Sequence, residues 1–410
     1  MDMLFLGGVF PKGDAPTIYK KSKGVIQFAA NVLQWNIING LDECNNSPIT
    51  ILTSIFIGSY PNHYSDIYIR SSKWSHTKGA DDRNIGFLNL FGIKQIFRGL
   101  SMSSQAKKWA ERKTQEKKVI IIYSMHTPFM YAAREAKKID PNINICLVCP
   151  DLPQYMNLDK RSGFIFNTLK SIDMYAIDKL LRCMDSFVLL TKYMAERIDV
   201  RGRPWIVTEG IANYNETTPH QKNKIKKDDT KVILYTGTLH KAYGIMDLLE
   251  AFKMIEDSSI RLWICGAGEA QLEVENLANN DSRVKYFGQV SRDFAVELQW
   301  ESDLLINPRN NKGEYTKFSF PSKIMEYMCS GTPTLIYKLD GIPDQYYDYL
   351  LTIEGDTPEG IASSISQAFN KSTDELIEIG EKAKEFVLSN KNHIIQAQRI
   401  IELINKENRL

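Results

Sequence analysis

The 410-residue chain lacks any run of about 18 or more apolar residues, so no segment has the length and apolarity of a membrane-spanning helix. Its opening, Met1 to Gly13, is interrupted by Gly7, Gly8, Pro11 and Lys12, and it has neither the basic start nor the long apolar stretch of a signal peptide. The expectation is a cytoplasmic chain, either free or held peripherally on the inner face of a membrane. Cysteine is scarce, with six at positions 44, 146, 149, 183, 265 and 329, too few and too scattered for a disulfide framework. Cys146 and Cys149 form a CxxC at the apolar run Ile143 to Val148, where an odd spacing along a strand sends the thiols to opposite faces. Core packing is expected of them, ahead of redox or metal chemistry. No D-x-D occurs, and no His/Cys/Asp cluster has metal-ligand spacing. No metal and no cofactor are therefore expected, and a bound anion would have to be met by protein groups.

What is present is enough for two cores. A chain of this length with 43% hydrophobic residues fits two domains of roughly 200 residues better than one. The formal net charge of +2 conceals an asymmetry. Residues 1–209 hold 28 Lys and Arg against 19 Asp and Glu, a surplus of +9, whereas residues 210–410 hold 23 against 30, a deficit of −7. A basic half suits an anionic partner such as a membrane surface or a phosphorylated acceptor, although uneven solvated surface would give the same count. The basic residues best placed for such a surface are Lys107, Lys108, Arg112, Lys113, Lys117 and Lys118, or the stretch Lys160 to Lys170 with Phe164, Ile165 and Phe166. Nothing in the pattern points to a nucleic-acid partner.

Along the chain, short apolar runs alternate with helical spacing. Met3 to Leu6 ends at Gly7-Gly8 and is followed by helical periodicity over Gln27 to Ile38. The alternation recurs at Ile49 to Ile57, at Val119 to Tyr123 with a helix after Pro128, at Ile143 to Val148, and at Ser186 to Leu190 with a helix over Tyr193 to Ile198. It resumes after the polar stretch Asn213 to Lys231 with KVILYTG, RLWICGAG, VKYFG, DLLINP and PTLIY, each separated by a helical segment. This predicts an α/β chain with an N-terminal domain over 1–209, a linker over 210–231, a second domain over 232–390, and a terminal helix over 391–410 packing back on the first domain.

Three constellations carry chemistry. Gly237-Thr238-Leu239 closes the strand that begins the second domain, where a glycine lets backbone N–H groups approach an anion at the start of a helix. Gly266-Ala267-Gly268 is a second strand-to-helix loop; Gln271 stands where the third glycine of a dinucleotide fingerprint would be, so it does not read as a dinucleotide site. The third runs from Asn307-Pro308-Arg309 through Phe318-Ser319-Phe320-Pro321-Ser322-Lys323-Ile324-Met325-Glu326-Tyr327-Met328 to Ser330-Gly331-Thr332-Pro333. Pro321 and Ser322 open a helix with free backbone donors, Lys323 adds a compact cation, and Glu326 lies one turn on along the same face, able to accept two ribose hydroxyls. The other reading of Lys323 and Glu326 is a surface i,i+3 pair.

Taken together, residues 232–345 resemble the retaining glycosyltransferase family 4, and more closely its polysaccharide-assembly branch, through the order of these loops and the PSKI-x-EYM-x-SG-x-P pattern. The resemblance implies the GT-B architecture, two Rossmann-like domains facing each other across a cleft. It implies transfer of a hexose-type sugar, with retention, from a nucleoside diphosphate sugar, UDP being favoured, to a glycan or polyprenyl-diphosphate-linked acceptor in capsule, exopolysaccharide or O-antigen synthesis. It also implies that Glu326 binds the ribose, that the segment containing Phe287, Gly288 and Val290 borders the base, and that Gly237 to Leu239 face the diphosphate. Gly7, Gly8, Gly266, Gly268 and the segment Phe318 to Ser322 complete the expected donor contacts. Two departures stand out. The first Glu of the family's E-x7-E is Phe318 here, and the family's two turn cations fall on Thr238 and Tyr243. The phosphate role passes to Lys323, Arg309 and Lys241.

In the first domain, His126 follows an aliphatic strand where the cleft should open, within reach of the donor sugar or anomeric centre, and Asp151 follows the next strand. A structural histidine and a turn-capping aspartate are the alternatives. Two other functions stay open for the whole chain: another enzyme on the same architecture, such as an epimerase or phosphorylase, and a scaffold that kept the fold without catalysis.

Overall fold

A computed structural model describes all residues except Val25, 154–163, 213–229 and 407–410. The chain forms two compact units, one of Met1–Ile211 with His393–Leu410, the other of Ala212–Asn392. Most of the polar stretch read as the linker lies outside the described residues. Among those described, no helix is long and apolar enough to cross a membrane.

The first unit contains strands β1 (Asp2–Gly7), β2 (Thr50–Thr53), β3 (Tyr68–Ile69), β4 (Ser72–Trp74) and β5 (Asp82–Asn84), then β6 (Phe87–Leu88), β7 (Lys118–Tyr123), β8 (Asn144–Cys149), β9 (Ser186–Leu189) and β10 (Trp205–Val207). Its helices are α1 (Ala15–Lys21), α2 (Phe28–Cys44), α3 (Lys94–Ala110), α4 (Thr127–Ile139), α5 (Phe164–Leu181) and α6 (Met194–Arg197). Eight strands form one sheet in the order β10-β9-β8-β7-β1-β2-β5-β4, parallel except for the β4–β5 edge. Such a sheet is covered on both faces, so its strands read as unbroken apolar runs; Val119 to Tyr123 and Ile145 to Cys149 are accordingly buried along their whole length. Both cysteines of the CxxC lie in that core. The strand expected over Ile49 to Ile57 stops at Thr53, because the carbonyls beyond it turn to side-chain donors of α3.

The second unit contains β11 (Lys231–Thr236), β12 (Ile260–Cys265), β13 (Val284–Tyr286), β14 (Leu304–Asn307), β15 (Thr334–Ile336) and β16 (Leu351–Thr352) in the order β13-β12-β11-β14-β15-β16, all parallel. Its helices are α7 (Ile245–Lys253), α8 (Gln271–Asn280), α9 (Arg292–Glu301), α10 (Ser322–Ser330), α11 (Pro358–Phe369) and α12 (Thr373–Asn390). The last helix, α13 (His393–Lys406), returns to the first unit, where Ala397, Ile400, Leu403 and Ile404 join the core that contains Phe5, Ile38 and Leu41.

One polar cluster pins the edge of the first sheet. His76 Nδ1 lies 2.6 Å from Asp82 and its Nε2 lies 2.6 Å from Asp42, while Asp82 also accepts from the Ile51 backbone at 2.9 Å. Burial opposes a charge on the imidazole, but the hydrogen bonds to Asp42 and Asp82 outweigh it and raise the pKa to about 9. A folded-state pKa raised above the unfolded value stabilises fully below that unfolded value, about 6.5, and the stabilisation is lost as pH rises through about 9. Thermal melts of wild type and His76→Gln at pH 6, 7.5 and 9.5 should therefore show a stability gap that is largest at pH 6 and narrows toward pH 9.5. A gap independent of pH would show that the imidazole does not carry the charge.

Candidate functional site

The order of the second sheet fixes where its site lies. β11 is central, with β12 and β13 added on one side and β14 to β16 on the other, so the connections diverge between β11 and β14. Open parallel sheets bind ligands at the carboxyl ends of the strands flanking that point. Here those ends are Thr236-Gly237 and Asn307-Pro308-Arg309.

The loops there pack backbone against backbone. A Cβ on Gly266 (φ +140°) would sit 1.8 Å from the Gly237 carbonyl oxygen, one on Gly268 2.6 Å from that of Leu239, and one on Gly244 (φ +80°) 2.1 Å from that of Pro308. Hydrogen bonds hold the layers: Gly237 N to Cys265 O at 3.0 Å, Leu239 N to Ala267 O at 3.0 Å, and Gly266 N to Gly288 O at 2.8 Å. The first and third amides of the Gly237-Thr238-Leu239 turn are thus used internally. The Thr238 amide is the one of the three without an internal acceptor among the described residues. Tyr286 and Tyr235 brace the same loops, donating to Gly266 O at 2.7 Å and Thr238 O at 2.8 Å.

Pro321 caps α10, and Ser322 and Lys323 occupy its first turn, where backbone N–H groups have no intrahelical acceptor. Lys323 Nζ donates to Glu326 Oε1 at 2.8 Å, and Gln299 Nε2 donates to the same oxygen at 2.6 Å. Arg292 approaches Oε2 at 4.0 Å. Burial pushes the Glu326 carboxyl up, but Lys323 foremost, with Arg292 and Gln299, outweighs it and holds the group below the usual carboxylate range. Glu326 is a mostly buried anion, and Lys323 keeps two of its three N–H donors beyond this contact.

Arg309 lies over the rings of Tyr243 and Tyr315, 5.4 and 4.8 Å from their centroids, and donates to Ser319 Oγ at 2.7 Å. Its Nε is buried without a partner. Two stacked aromatics and a hydroxyl hold the guanidinium at the end of β14.

Several expected contacts lie elsewhere. Lys241 is exposed, its ammonium 2.5 Å from Glu273 and its backbone N–H on Glu269, so its charge is already neutralised on the outer side of the turn. Phe318 and Phe320 are buried, the second against Tyr346 at 5.4 Å, so they anchor the segment and present Ser319 between them. Phe287 is held edge-on between Trp263 and Phe294, with Val290 packed on the same core, which leaves Gly288 (φ +70°) as the open position of that segment. In the first unit, the Gly7-Gly8 turn is filled by its own chain. Gly8 N donates to Gln34 Oε1 at 2.8 Å, and a Cβ on Gly8 would meet the Phe56 ring at 2.3 Å. These glycines provide close packing and do not offer a row of free amides. Asp151 is exposed and acts on Tyr123, whose hydroxyl is pushed upward by burial first and then by Asp151. His126 caps the start of α4 with its ring on Phe129 at 4.6 Å and Phe56 at 5.7 Å.

Sequence reasoning missed Gln299, Arg292, Tyr243 and Tyr315. Gln299 had a usable signal: it follows Leu298 on the apolar stripe of α9 and is fully buried, and a polar group on such a stripe needs a partner. Four of the six cations expected to face anions have partners within the chain. Lys107 pairs with Glu135 at 3.1 Å, Arg112 with Asp81 at 2.8 Å and Lys118 with Asp140 at 3.1 Å, while Lys117 donates to Ile404 O at 2.7 Å. The start of the alternative stretch from Lys160 lies outside the described residues.

Residues 216–393 match the family described as glycosyl transferases group 1. No curated protein matches the chain in sequence. Among solved structures, the sucrose-phosphate synthase of Thermosynechococcus elongatus superposes with a TM-score of 0.69 at 13% identity, covering 99% of each chain. Anabaena Alr3699/HepE, solved in complex with UDP, gives 0.61 at 13% identity over 99% of this chain and 100% of its own. The lipopolysaccharide outer core galactosyltransferase WaaB gives 0.58 at 14% identity over 99% of this chain and 100% of its own. The chain has the GT-B fold, and the stretch similar to the glycosyl transferases group 1 family falls almost wholly within its second unit.

Proposed function

We propose that the protein is a retaining, metal-independent hexosyltransferase that takes its sugar from a UDP-sugar held in the second unit and delivers it to a glycan or lipid-linked glycan acceptor in polysaccharide assembly. The observation that carries this reading is the buried Glu326 carboxylate. Its Oε1 is occupied by Lys323 and Gln299, and Oε2 is left to accept ribose hydroxyls beside the first turn of α10. UDP as the nucleotide draws support from the UDP complex of the Anabaena protein, and a polysaccharide setting from the lipopolysaccharide acceptor of WaaB. A lipid-borne acceptor also fits α3, whose solvent side exposes Ile96, Phe97 and Leu100 next to exposed Phe91 and Ile93.

In this reading the bond from the anomeric carbon to the β-phosphate oxygen breaks, and a bond from that carbon to the acceptor hydroxyl oxygen forms on the same face. The hydroxyl proton passes to the departing phosphate. The spare N–H donors of Lys323, the Arg309 guanidinium, the Thr238 amide and the first-turn amides of α10 meet the charge that grows on the diphosphate. The sequence has no D-x-D to anchor a divalent ion at that diphosphate.

Three outcomes test it. Calorimetry with UDP should show Glu326→Ala weakening binding by about 1.5–3 kcal/mol, the range for a hydrogen bond to a charged group, with the fold intact; an unchanged dissociation constant removes Glu326 from the ribose site. Lys323→Met should lower kcat by roughly 100-fold, the scale for deleting one strong electrostatic stabiliser, with a smaller change in UDP affinity. A surface pair alone would cost at most about 0.5 kcal/mol of stability and leave turnover near normal. Finally, turnover should survive excess EDTA, and a loss restored by Mg²⁺ or Mn²⁺ would sink the metal-free mechanism.

A further inference from the structure

In the first unit, α3 directs two cations inward. Arg98 is 2% exposed, stacks at 4.4 Å over the Phe87 ring, and donates to the carbonyls of Ile55 and, at 3.4 Å, Ser54. Lys94, one turn earlier and half-buried, donates to Ile57 O at 3.1 Å. Neither has a carboxylate within ion-pair distance among the described residues. Burial lowers both, Lys94 to about 8 and Arg98 to about 9, so both are charged near pH 7. A buried guanidinium and a half-buried ammonium one helical turn apart, met by carbonyl oxygens and one aromatic face, incur a desolvation cost that a counter-ion would offset.

The polar atoms around them are also incomplete. Arg98 Nε, Ser54 Oγ and His126 Nδ1 are each buried with no hydrogen-bond partner. The three belong to one neighbourhood: Arg98 bonds Ser54 O, and Arg98 and Lys94 act electrostatically on His126. Burial first, then Arg98, then Lys94, hold the imidazole well below its ordinary pKa, so it is neutral and can donate one N–H. Native interiors rarely leave such groups unsatisfied. An ammonium, a guanidinium, a hydroxyl and an imidazole are the donor set of a phosphoryl group.

We infer that Lys94, Arg98, Ser54 and His126 form an anion subsite in the first unit that takes a phosphoryl or diphosphoryl group of the acceptor. The assignment to the acceptor rests on the proposed function; the anion subsite stands on its own geometry. A role limited to pinning the loop after β2 would use the carbonyl contacts and leave anion binding unaffected by the loss of charge.

The test is calorimetric titration of inorganic pyrophosphate into the full chain saturated with UDP, for wild type, Lys94→Met and His126→Gln. UDP affinity and far-UV circular dichroism are measured in parallel to show that each variant is folded. Wild type should bind pyrophosphate, and each variant should lose at least tenfold in affinity with UDP binding unchanged. Equal pyrophosphate affinity in wild type and both variants, or no binding by folded wild type, overturns the inference. If wild type fails to bind UDP yet binds pyrophosphate in a Lys94-dependent manner, the donor reading fails and the subsite stands. A hexose phosphate and a short prenyl diphosphate, titrated in the same way, separate the sources of the group. Tighter Lys94-dependent binding of the prenyl compound identifies a lipid-borne acceptor, tighter binding of the hexose phosphate a soluble one, and either supports the subsite.

Discussion

The second unit depends on the mutual approach of three strand-to-helix loops at distances that only backbone atoms can occupy. Gly266 lies against the Gly237 carbonyl, Gly268 against that of Leu239, and Gly244 against that of Pro308, so a side chain at any of these positions would separate the layers. Two of them also have positive φ, which adds backbone strain to the clash for any other residue. The consequence for the site is positional. Once these loops are locked to one another, the end of β14 stands beside the turn of β11, which puts Arg309 against Tyr243 and brings Tyr315 to the Ala242 carbonyl at 3.2 Å. The Tyr327 hydroxyl of α10 accepts from the N–H and hydroxyl of Thr236 at the end of β11, at 2.8 and 3.1 Å, so the helix that carries Lys323 and Glu326 is tied to the same strand end.

The parallel strands were legible because burial on both faces leaves a continuous apolar signature, and the motif from Pro321 to Pro333 was legible because its spacing is dense. What the residues do with one another was less so. Lys241 looks like a phosphate cation in sequence, since nothing local shows that Glu273 of α8 is within reach of its ammonium. Phe318 and Phe320 bracket the motif and look like contacts, but their apolar rings are consumed by the core. The glycines of the first turn looked like phosphate-loop residues; their neighbours Gln34 and Phe56 lie 26 and 48 positions on, and only the fold brings them there.

Helix α3 escaped sequence reasoning for a different reason, the reversal of its pattern. Its buried side is Arg98, Gly99, Met102, Ser103 and Ala106, while Ile96, Phe97 and Leu100 face solvent. A search for an apolar stripe at helical period assumes that large aliphatic groups turn inward. Here a cation and small residues share the inner side with Met102 and Trp109, and Ile96, Phe97 and Leu100 stay outside. Such an inversion has a cost in the isolated unit, and it coincides with the incomplete polar cluster around His126.

Because α13 closes the core of the first unit after the chain has passed through the whole of the second, the second unit is topologically an insertion between Ile211 and His393. During synthesis the first unit has its sheet but lacks Ala397, Ile400, Leu403 and Ile404 until residues 393–406 have emerged, by which time the inserted unit is already complete. Order of assembly is thereby decoupled from order of sequence. A break in the chain near residue 392 would separate α13 from the unit whose core it closes, far along the chain from nearly all the residues it would unsettle.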